Sequence, residues 1–300
     1  MPIKIAVVGA GVVGMATAVR ILESVENAQV TVIAESFTPH TTGDVSVGLL
    51  EPFLVNVDSI FVFPNYRDWC VDSFNFYHGL INAETSGQLG LALVPVYELF
   101  EKFKAKPLYA EPFLNYRDMT PEELAAYPGD YKYGAYFVSI SIVCRKFLPY
   151  MMQRFTRRGG TFIHEKVESL DQLAGQYDVV MNCSGIGART LVPDPKCVPV
   201  QGQTVRVAAP WVKNCLVVGD YEFLPTVDYV VLRGVPIFDE TSTIPTEETA
   251  RLIYENATKF IPSLKEARIL ENHVGVRPYR EPLRVDIEYR KIKGSWRTVS

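Results

Sequence analysis

Positive charge is not in excess in this chain. Lys and Arg number 30 against 34 Asp and Glu, a net charge of −4. That balance argues against a general nucleic-acid binder while leaving room for a local cationic pocket. Apolar runs are short, and none reaches the ~18 residues of a membrane-spanning helix. The apolar start Ile3–Ala10 lacks the basic flank and cleavage site of a signal peptide. Cysteine is sparse. Cys70, Cys144, Cys183, Cys197 and Cys215 are odd in number with no paired spacing, as expected for reduced, partly buried thiols of an intracellular protein. His40, His78, His164 and His273 lie far apart, so no metal site is expected. Repeats and low-complexity segments are absent. What is present is an ordinary globular composition, 48% apolar and 21% charged over 300 residues, enough for about two domains with sizeable cores.

The first thirty-five residues are the most informative. Ile3–Val8 reads as a short buried strand rich in β-branched residues. Gly9-Ala10-Gly11-Val12-Val13-Gly14 follows and fits G-x-G-x-x-G. Apolar residues then recur at helical spacing from Val12 to about Glu23, and Gln29–Ala34 reads as a second strand ending at Glu35, 21 residues after Gly14. Strand, glycine turn, helix, strand and acid in this order form the context that gives the motif meaning. Gly9 permits a tight turn, Gly11 lets the backbone approach a pyrophosphate at the helix N-terminus, and Gly14 lets helix and strand pack closely. Glu35 can accept hydrogen bonds from an adenosine ribose. The glycine fingerprint alone does not choose between NAD and FAD.

Further along, Val45–Leu50 is a run of small and apolar residues, suited either to close approach of a flat ligand or to a tight helix start. Residues 65–85 look helical, and 91–100 look like a strand pair interrupted at Pro95. Thr120-Pro121-Glu122-Glu123 reads as a capped helix start. Ser139–Val143 is strand-like, Cys144–Arg158 is an amphipathic helix closed by Gly159-Gly160, and Thr161–Glu165 starts a strand. Asp178–Cys183 is another short strand, ending in the turn Ser184–Ala188 and suited to the same sheet as the opening motif. Thr204–Val207, Cys215–Val218 and Tyr229–Leu232 suggest an antiparallel sheet. Thr246–Phe260 reads as a helix with an acidic first turn.

Several ordered segments resemble the D-amino-acid oxidase and D-aspartate oxidase family. They are Ile5–Gly14, Phe37–Val45, Asn182–Gly185, Pro199–Gln203, Ala209–Trp211 and Gly275–Arg280. The resemblance implies an α/β fold with two parts. One is a Rossmann-like FAD-binding domain with a mainly parallel sheet; the other is an α+β substrate domain with a mainly antiparallel sheet. The expected boundaries are 1–55 with 140–195 for the FAD domain, 56–139 with 196–285 for the substrate domain, and 286–300 as a divergent tail. It implies FAD as cofactor, held by Gly9, Ala10, Gly11, Val12, Val13, Gly14, Glu35 and Ser36. Thr41, Thr42 and Gly43 would touch the phosphates, and Val167 and Ser184 the adenine side. It also implies oxidative deamination of a D-amino acid, D-aspartate or a neutral one, by dioxygen to the 2-oxo acid, ammonia and hydrogen peroxide, with no nucleic-acid or membrane partner and with homo-oligomer formation left open. Arg277 matches the position that clamps the substrate carboxylate; an ordinary salt bridge is the alternative. Arg280 and Arg284 read as structural or solvated.

Three departures from the family pattern stand out. The family's substrate-side tyrosine aligns with Glu222, leaving Tyr221 one position away as the candidate. A Leu-Gly-Gly-Thr turn is replaced by Leu232-Arg233-Gly234-Val235, and an arginine of the aspartate-specific members would fall near Pro236. Arg233 either substitutes for that arginine or disturbs the turn. Lastly, the family continues with a His-Tyr-Gly-His loop and a helix that residues 291–300 do not match. A truncated, inactive relative without stable FAD binding is therefore the competing expectation. The family location is peroxisomal, but Thr298-Val299-Ser300 is not a peroxisomal tripeptide, which leaves a cytoplasmic location open.

Overall fold

Two sheets organise the chain, each with its own hydrophobic cluster. The fold is known from a computed structural model, which describes residues 1–46, 48–52, 63–81, 86–292 and 295–299. The strands are β1 (Ile3–Val8), β2 (Ala28–Ala34), β3 (Leu91–Phe100), β4 (Leu114–Asp118) and β5 (Tyr133–Ile142). There follow β6 (Thr161–His164), β7 (Val179–Asn182), β8 (Cys197–Ala208), β9 (Cys215–Val218) and β10 (Tyr221–Pro225). The last five are β11 (Val230–Arg233), β12 (Ile237–Phe238), β13 (Arg268–Arg280), β14 (Glu288–Ile292) and β15 (Ser295–Val299). The longer helices are α1 (Val12–Ser24), α2 (Tyr66–Ile81), α3 (Cys144–Arg157) and α4 (Glu247–Phe260).

One compact unit comprises residues 1–44, 144–200 and 276–300. Its sheet has the order β14-β15-β7-β1-β2-β6, parallel except for the β14–β15 pair. Ala6, Val8, Ile33 and Val180 cluster with Leu170 and Leu173. The alternate residues Val7 and Val32, equally buried, face away from that cluster. Helix α1 packs on β1, β2 and α3. Its buried Gly14, Met15, Ala18 and Val19 form the apolar stripe legible in the sequence. The segment expected as a divergent tail falls within this unit, because β15 adds to the parallel edge of β7 (Thr298↔Val179). The boundary near 55 instead falls after Asp44, since residues 48–50 join the other unit's sheet.

The second unit comprises residues 45–143 and 201–275. The nine-stranded sheet runs β12-β8-β11-β10-β9-β3-β5-β4, with β13 beside β8. Most pairs are antiparallel; β3–β9 is parallel. One face buries Leu99, Val205, Val218, Phe223 and Leu232 against Ile253 and Ala257 of α4. The expected interruption at Pro95 does not occur, and β3 is a single ten-residue strand paired with β5 throughout. A proline is tolerated there because β9 pairs with β3 only from Val96 onward, so that ladder needs no N–H from residue 95. Thr120 caps its short helix reciprocally with Glu123, as read from sequence.

Gly48 explains the small-residue run. At φ +91°, any Cβ there would overlap the Ile142 carbonyl. The chain can therefore hug β5, with Leu50 N donating to Ile140 O (2.9 Å) and Ser139 Oγ to Leu50 O (2.7 Å). The run serves backbone packing, and it delivers Glu51 to the edge of β5. Among the described residues no helix is long and apolar enough to cross a membrane. No group of metal-ligating side chains is found among them either.

Candidate functional site

In the first unit the candidate residues gather at the carboxyl ends of the parallel strands. The register pairs Val8 with Ile33 and Asn182, and Ala34 with His164. In open parallel sheets this is where ligands bind. Gly9 adopts φ +110°, and a Cβ there would lie 2.8 Å from the Cys183 carbonyl carbon and 3.3 Å from Ser184 Cα. The two glycine turns seen in the sequence therefore press against each other through backbone alone. A Cβ on Gly14 would lie 2.9 Å from the Gly9 carbonyl carbon and nearer still to its oxygen. Gly11 differs, because nothing lies within 4 Å of its missing Cβ.

Gly11 is also the N-cap of α1. No side chain caps this helix, and its first turn holds no acidic residue. The N–H groups of this first turn are thus left without a side-chain cap at the positive end of the helix. An uncapped, glycine-lined helix start of this kind fits a diphosphate. Ala10 is buried beneath it.

The other expected contacts follow the ends of β2, β6 and β7. Glu35 and Ser36, both exposed, follow β2, and the Glu35 carbonyl accepts from His164 Nε2 (2.8 Å). Ser184 Oγ donates to Asn182 Oδ1 (2.7 Å) and fixes the second turn. Val167 packs against the Leu170–Val180 cluster, so its contribution to a ligand would come from its backbone.

The loop 38–44 is held by a residue the sequence reading passed over. Asp44, 2% exposed, accepts from Thr38 Oγ1 (2.7 Å), Thr41 N (2.9 Å) and Thr41 Oγ1 (2.7 Å). Thr42 Oγ1 donates to Val276 O (3.2 Å). That bond ties the loop containing Thr41, Thr42 and Gly43 to the residue before Arg277. Arg277 is partly buried, and its Nη1 is shielded from solvent. Arg280 and Arg284 are structural: Arg280 Nε binds Asp194 (2.8 Å), and Arg284 Nε binds Asp286 (2.9 Å).

In the second unit, strand alternation separates Tyr221 from Glu222. Tyr221, expected beside the substrate, lies on the face covered by α4. Its ring packs on the apolar cluster there, and its hydroxyl accepts from Asn256 Nδ2 (3.2 Å). Glu222 points to the opposite face, where it pairs with Arg233 directly across the ladder (Nε–Oε2 3.2 Å). Both are buried, at 6% and 4% exposure. Arg233 therefore does not disturb the turn; it neutralises a carboxylate. The register extends this row to Glu98 through Val217 on one side and to Thr204 on the other.

Glu51 joins the same group. Desolvation first, then Glu98 and Glu222, push its carboxyl up to about 8, against the opposing pull of Arg233 and Lys104. Glu98 is also raised, chiefly by desolvation, although Lys104 lies 3.4 Å away. Burial and the nearby Glu98 raise Tyr116 to about 12. Burial with Glu51 and Glu98 raises Tyr109, and burial with Glu222 and Glu51 raises the Cys215 thiol. The sequence singled out Glu222 and Arg233 as departures from the family pattern, and Glu98 is a lone charge inside the apolar run Leu91–Phe100. Glu51 and Thr204 carried no comparable sign.

The comparisons with known proteins identify the cofactor of the family. The sequence profile of the family described as FAD dependent oxidoreductase matches residues 4–290. The chain belongs to that family. FAD is therefore its cofactor, and the Gly9–Gly14 cradle and the second glycine turn fit the group. Human D-aspartate oxidase is 35% identical over 289 residues, covering 95% of this chain and 84% of that relative. A D-amino acid oxidase of Dugesia ryukyuensis is 34% identical over 290 residues, covering 95% and 86%. Among solved structures, glycine oxidase from Geobacillus kaustophilus superposes with a TM-score of 0.73, covering 99% of this chain and 89% of that one. At 14% identity it speaks for the shared fold.

Proposed function

We propose that this flavoprotein oxidises D-amino acids, with Arg277 as the residue that orients the substrate. The observation that carries the reading is the tie between Thr42 and Val276, which sets Arg277 next to the residue that anchors the Thr41–Gly43 loop. The names of the two relatives, D-aspartate oxidase and D-amino acid oxidase, support the substrate class. FAD, when bound, accepts a hydride from the substrate α-carbon and passes two electrons to dioxygen, giving hydrogen peroxide. The imino acid left behind adds water and loses ammonia, giving the 2-oxo acid.

Little acid or base work falls to the protein in such a reaction. Its task is to hold the α-C–H in one orientation. A guanidinium with two parallel N–H donors grips a carboxylate in a fixed plane, which a lysine cannot do. Shielding of Arg277 Nη1 from water strengthens that grip. Gly11, Val12 and Val13 would supply backbone donors to the diphosphate, Glu35 would accept from the ribose hydroxyls, and Thr41 and Thr42 would flank the phosphates. Asp44 acts as a positioning residue by holding Thr41 in place.

The test is peroxide release from the FAD-loaded chain with paired D- and L-amino acids. Turnover of D-enantiomers alone is expected. Absence of turnover with every D-amino acid, at full flavin occupancy, overturns the reading.

A further inference from the structure

A cleft of about 220 Å³ opens within the second unit, at a gap in its sheet. Strand β9 lies between β3 and β10, yet it pairs with β3 only from Val96 onward and with β10 only as far as Phe223. Strand β3 starts earlier, at Leu91, beside β5, and β10 runs on to Pro225 beside β11. The cleft lies where β9 would continue. Val94 of β3 lines it, together with the end of β10, the start of β11 and the residues that precede β9.

Two turns contribute to the lining, and each is held by its own hydrogen bonds. In the turn before β9, Val212 N donates to Ala209 O (3.0 Å), and Trp211 Nε1 donates to Ser263 Oγ (3.1 Å). In the turn between β10 and β11, Thr226 N donates to Tyr229 O (2.8 Å), and Thr226 Oγ1 accepts from Asp228 N (3.3 Å) and Tyr229 N (3.2 Å). The first turn leads into Lys213 and the second carries Asp228, so charges of opposite sign line one cleft. Lys213 has no ion-pair partner among the described residues. The deeper lining is apolar, with Val94 and Val230 at 3% and 2% exposure. Ser141, also buried there, already donates to Ala92 O (3.5 Å).

We propose that this cleft binds a free α-amino acid with an aliphatic side chain. Arg277 takes no part in its lining, and the inference stands independently of the oxidase reading. Size, charge and polarity agree on the ligand. The volume of about 220 Å³ is below the roughly 300 Å³ at which sites for drug-sized ligands begin. Lys213 would pair with the carboxylate and Asp228 with the ammonium, while the side chain enters among Val94, Val212 and Val230. An organic anion alone would gain from Lys213 and be repelled by Asp228, and a simple amine the reverse. A molecule with both charges beside an apolar group matches all of the lining. The pre-formed turns leave little of the chain to be ordered on binding, which favours a small ligand. No bond forms or breaks in the cleft.

Calorimetric titration of the FAD-loaded chain tests this, with L-leucine as the probe because an L-enantiomer is not expected to turn over. 4-Methylpentanoate lacks the ammonium, 3-methylbutylamine the carboxylate and glycine the side chain, and each is expected to bind at least about tenfold more weakly. Lys213→Met should weaken L-leucine about tenfold and leave 3-methylbutylamine unchanged, whereas Asp228→Asn should weaken L-leucine similarly and spare 4-methylpentanoate. Both side chains are exposed, and thermal unfolding checks that the variants keep the wild-type fold. Arg277→Leu should leave L-leucine binding at the wild-type level. The proposal is overturned if L-leucine does not bind, if both variants bind it as the wild type does, if a truncated probe matches it, or if Arg277→Leu abolishes its binding. Peroxide release from D-amino acids is read in the same samples. Its failure overturns the oxidase reading alone, and failure of the titration overturns the cleft alone.

Discussion

The diphosphate cradle of the first unit and the charged row of the second are built from opposite materials. The cradle has almost no side chains. Gly9 and Gly14 bring backbone against backbone, and the start of α1 contributes the partial charge of N–H groups without a side-chain cap. The row is made of side chains alone, with the buried pair Glu222 and Arg233 from neighbouring strands and the partly buried Glu98 from a strand far away in sequence. A site made of backbone tolerates no added atom. A site made of paired charges tolerates no lost partner, because the remaining charge stays buried.

Substitutions can break that comparison, and the largest effect is expected in the cradle. Gly14→Val places atoms on the Gly9 carbonyl, so the purified chain should carry no flavin absorbance and lose about 3 kcal/mol or more in urea unfolding. Flavin retained at full occupancy would show that the turn has room to spare. Next is Arg277→Leu, expected to lower kcat/KM by about a thousandfold, roughly 4 kcal/mol, while flavin absorbance stays at wild-type level. Arg277→Lys should recover only a small part, since the planar fork is lost.

In the second unit, Glu222→Gln should destabilise by about 3 kcal/mol, because Arg233 would stay buried without its ion-pair partner. Replacing both residues with leucine should recover most of that, which tests whether the pair matters for charge balance or for shape. A smaller effect comes from pH. Glu51 titrates near 8 in the folded chain against an ordinary 4.5, so the folded chain keeps a proton that the unfolded chain has released. Its contribution to stability is therefore full below about 4.5 and is lost as pH rises through about 8. Glu51→Gln should remove that part of the slope in urea midpoints measured across the range. Smallest of all, Thr120→Ala removes a helix cap outside both sites and should cost about 1 kcal/mol with kcat/KM unchanged.

Much of the first unit was legible from sequence because its determinants are local. Ile3–Glu35 holds strand, turn, helix, strand and acid within one short stretch, and the glycine spacing has a single steric meaning. Thr41, Thr42 and Gly43 were legible as a loop, but their tie to Val276 joins residues 234 apart. Pro95 misled, because its effect depends on which neighbouring strand pairs at that point. Tyr221 misled for a related reason. Its identity suggested a substrate contact, whereas a one-residue step along β10 turns it to the helix and Glu222 to the polar face.

Local spacing was thus enough to specify the strand, glycine turn and helix at the start of the chain, since such a turn needs only its immediate neighbours to take shape. The gathering of Glu51, Glu98, Glu222, Arg233 and Thr204 needed the assembled sheet. Strand order and register, set by burial of the apolar face under α4, decide which residues share the opposite face, and no single segment of the chain carries that information.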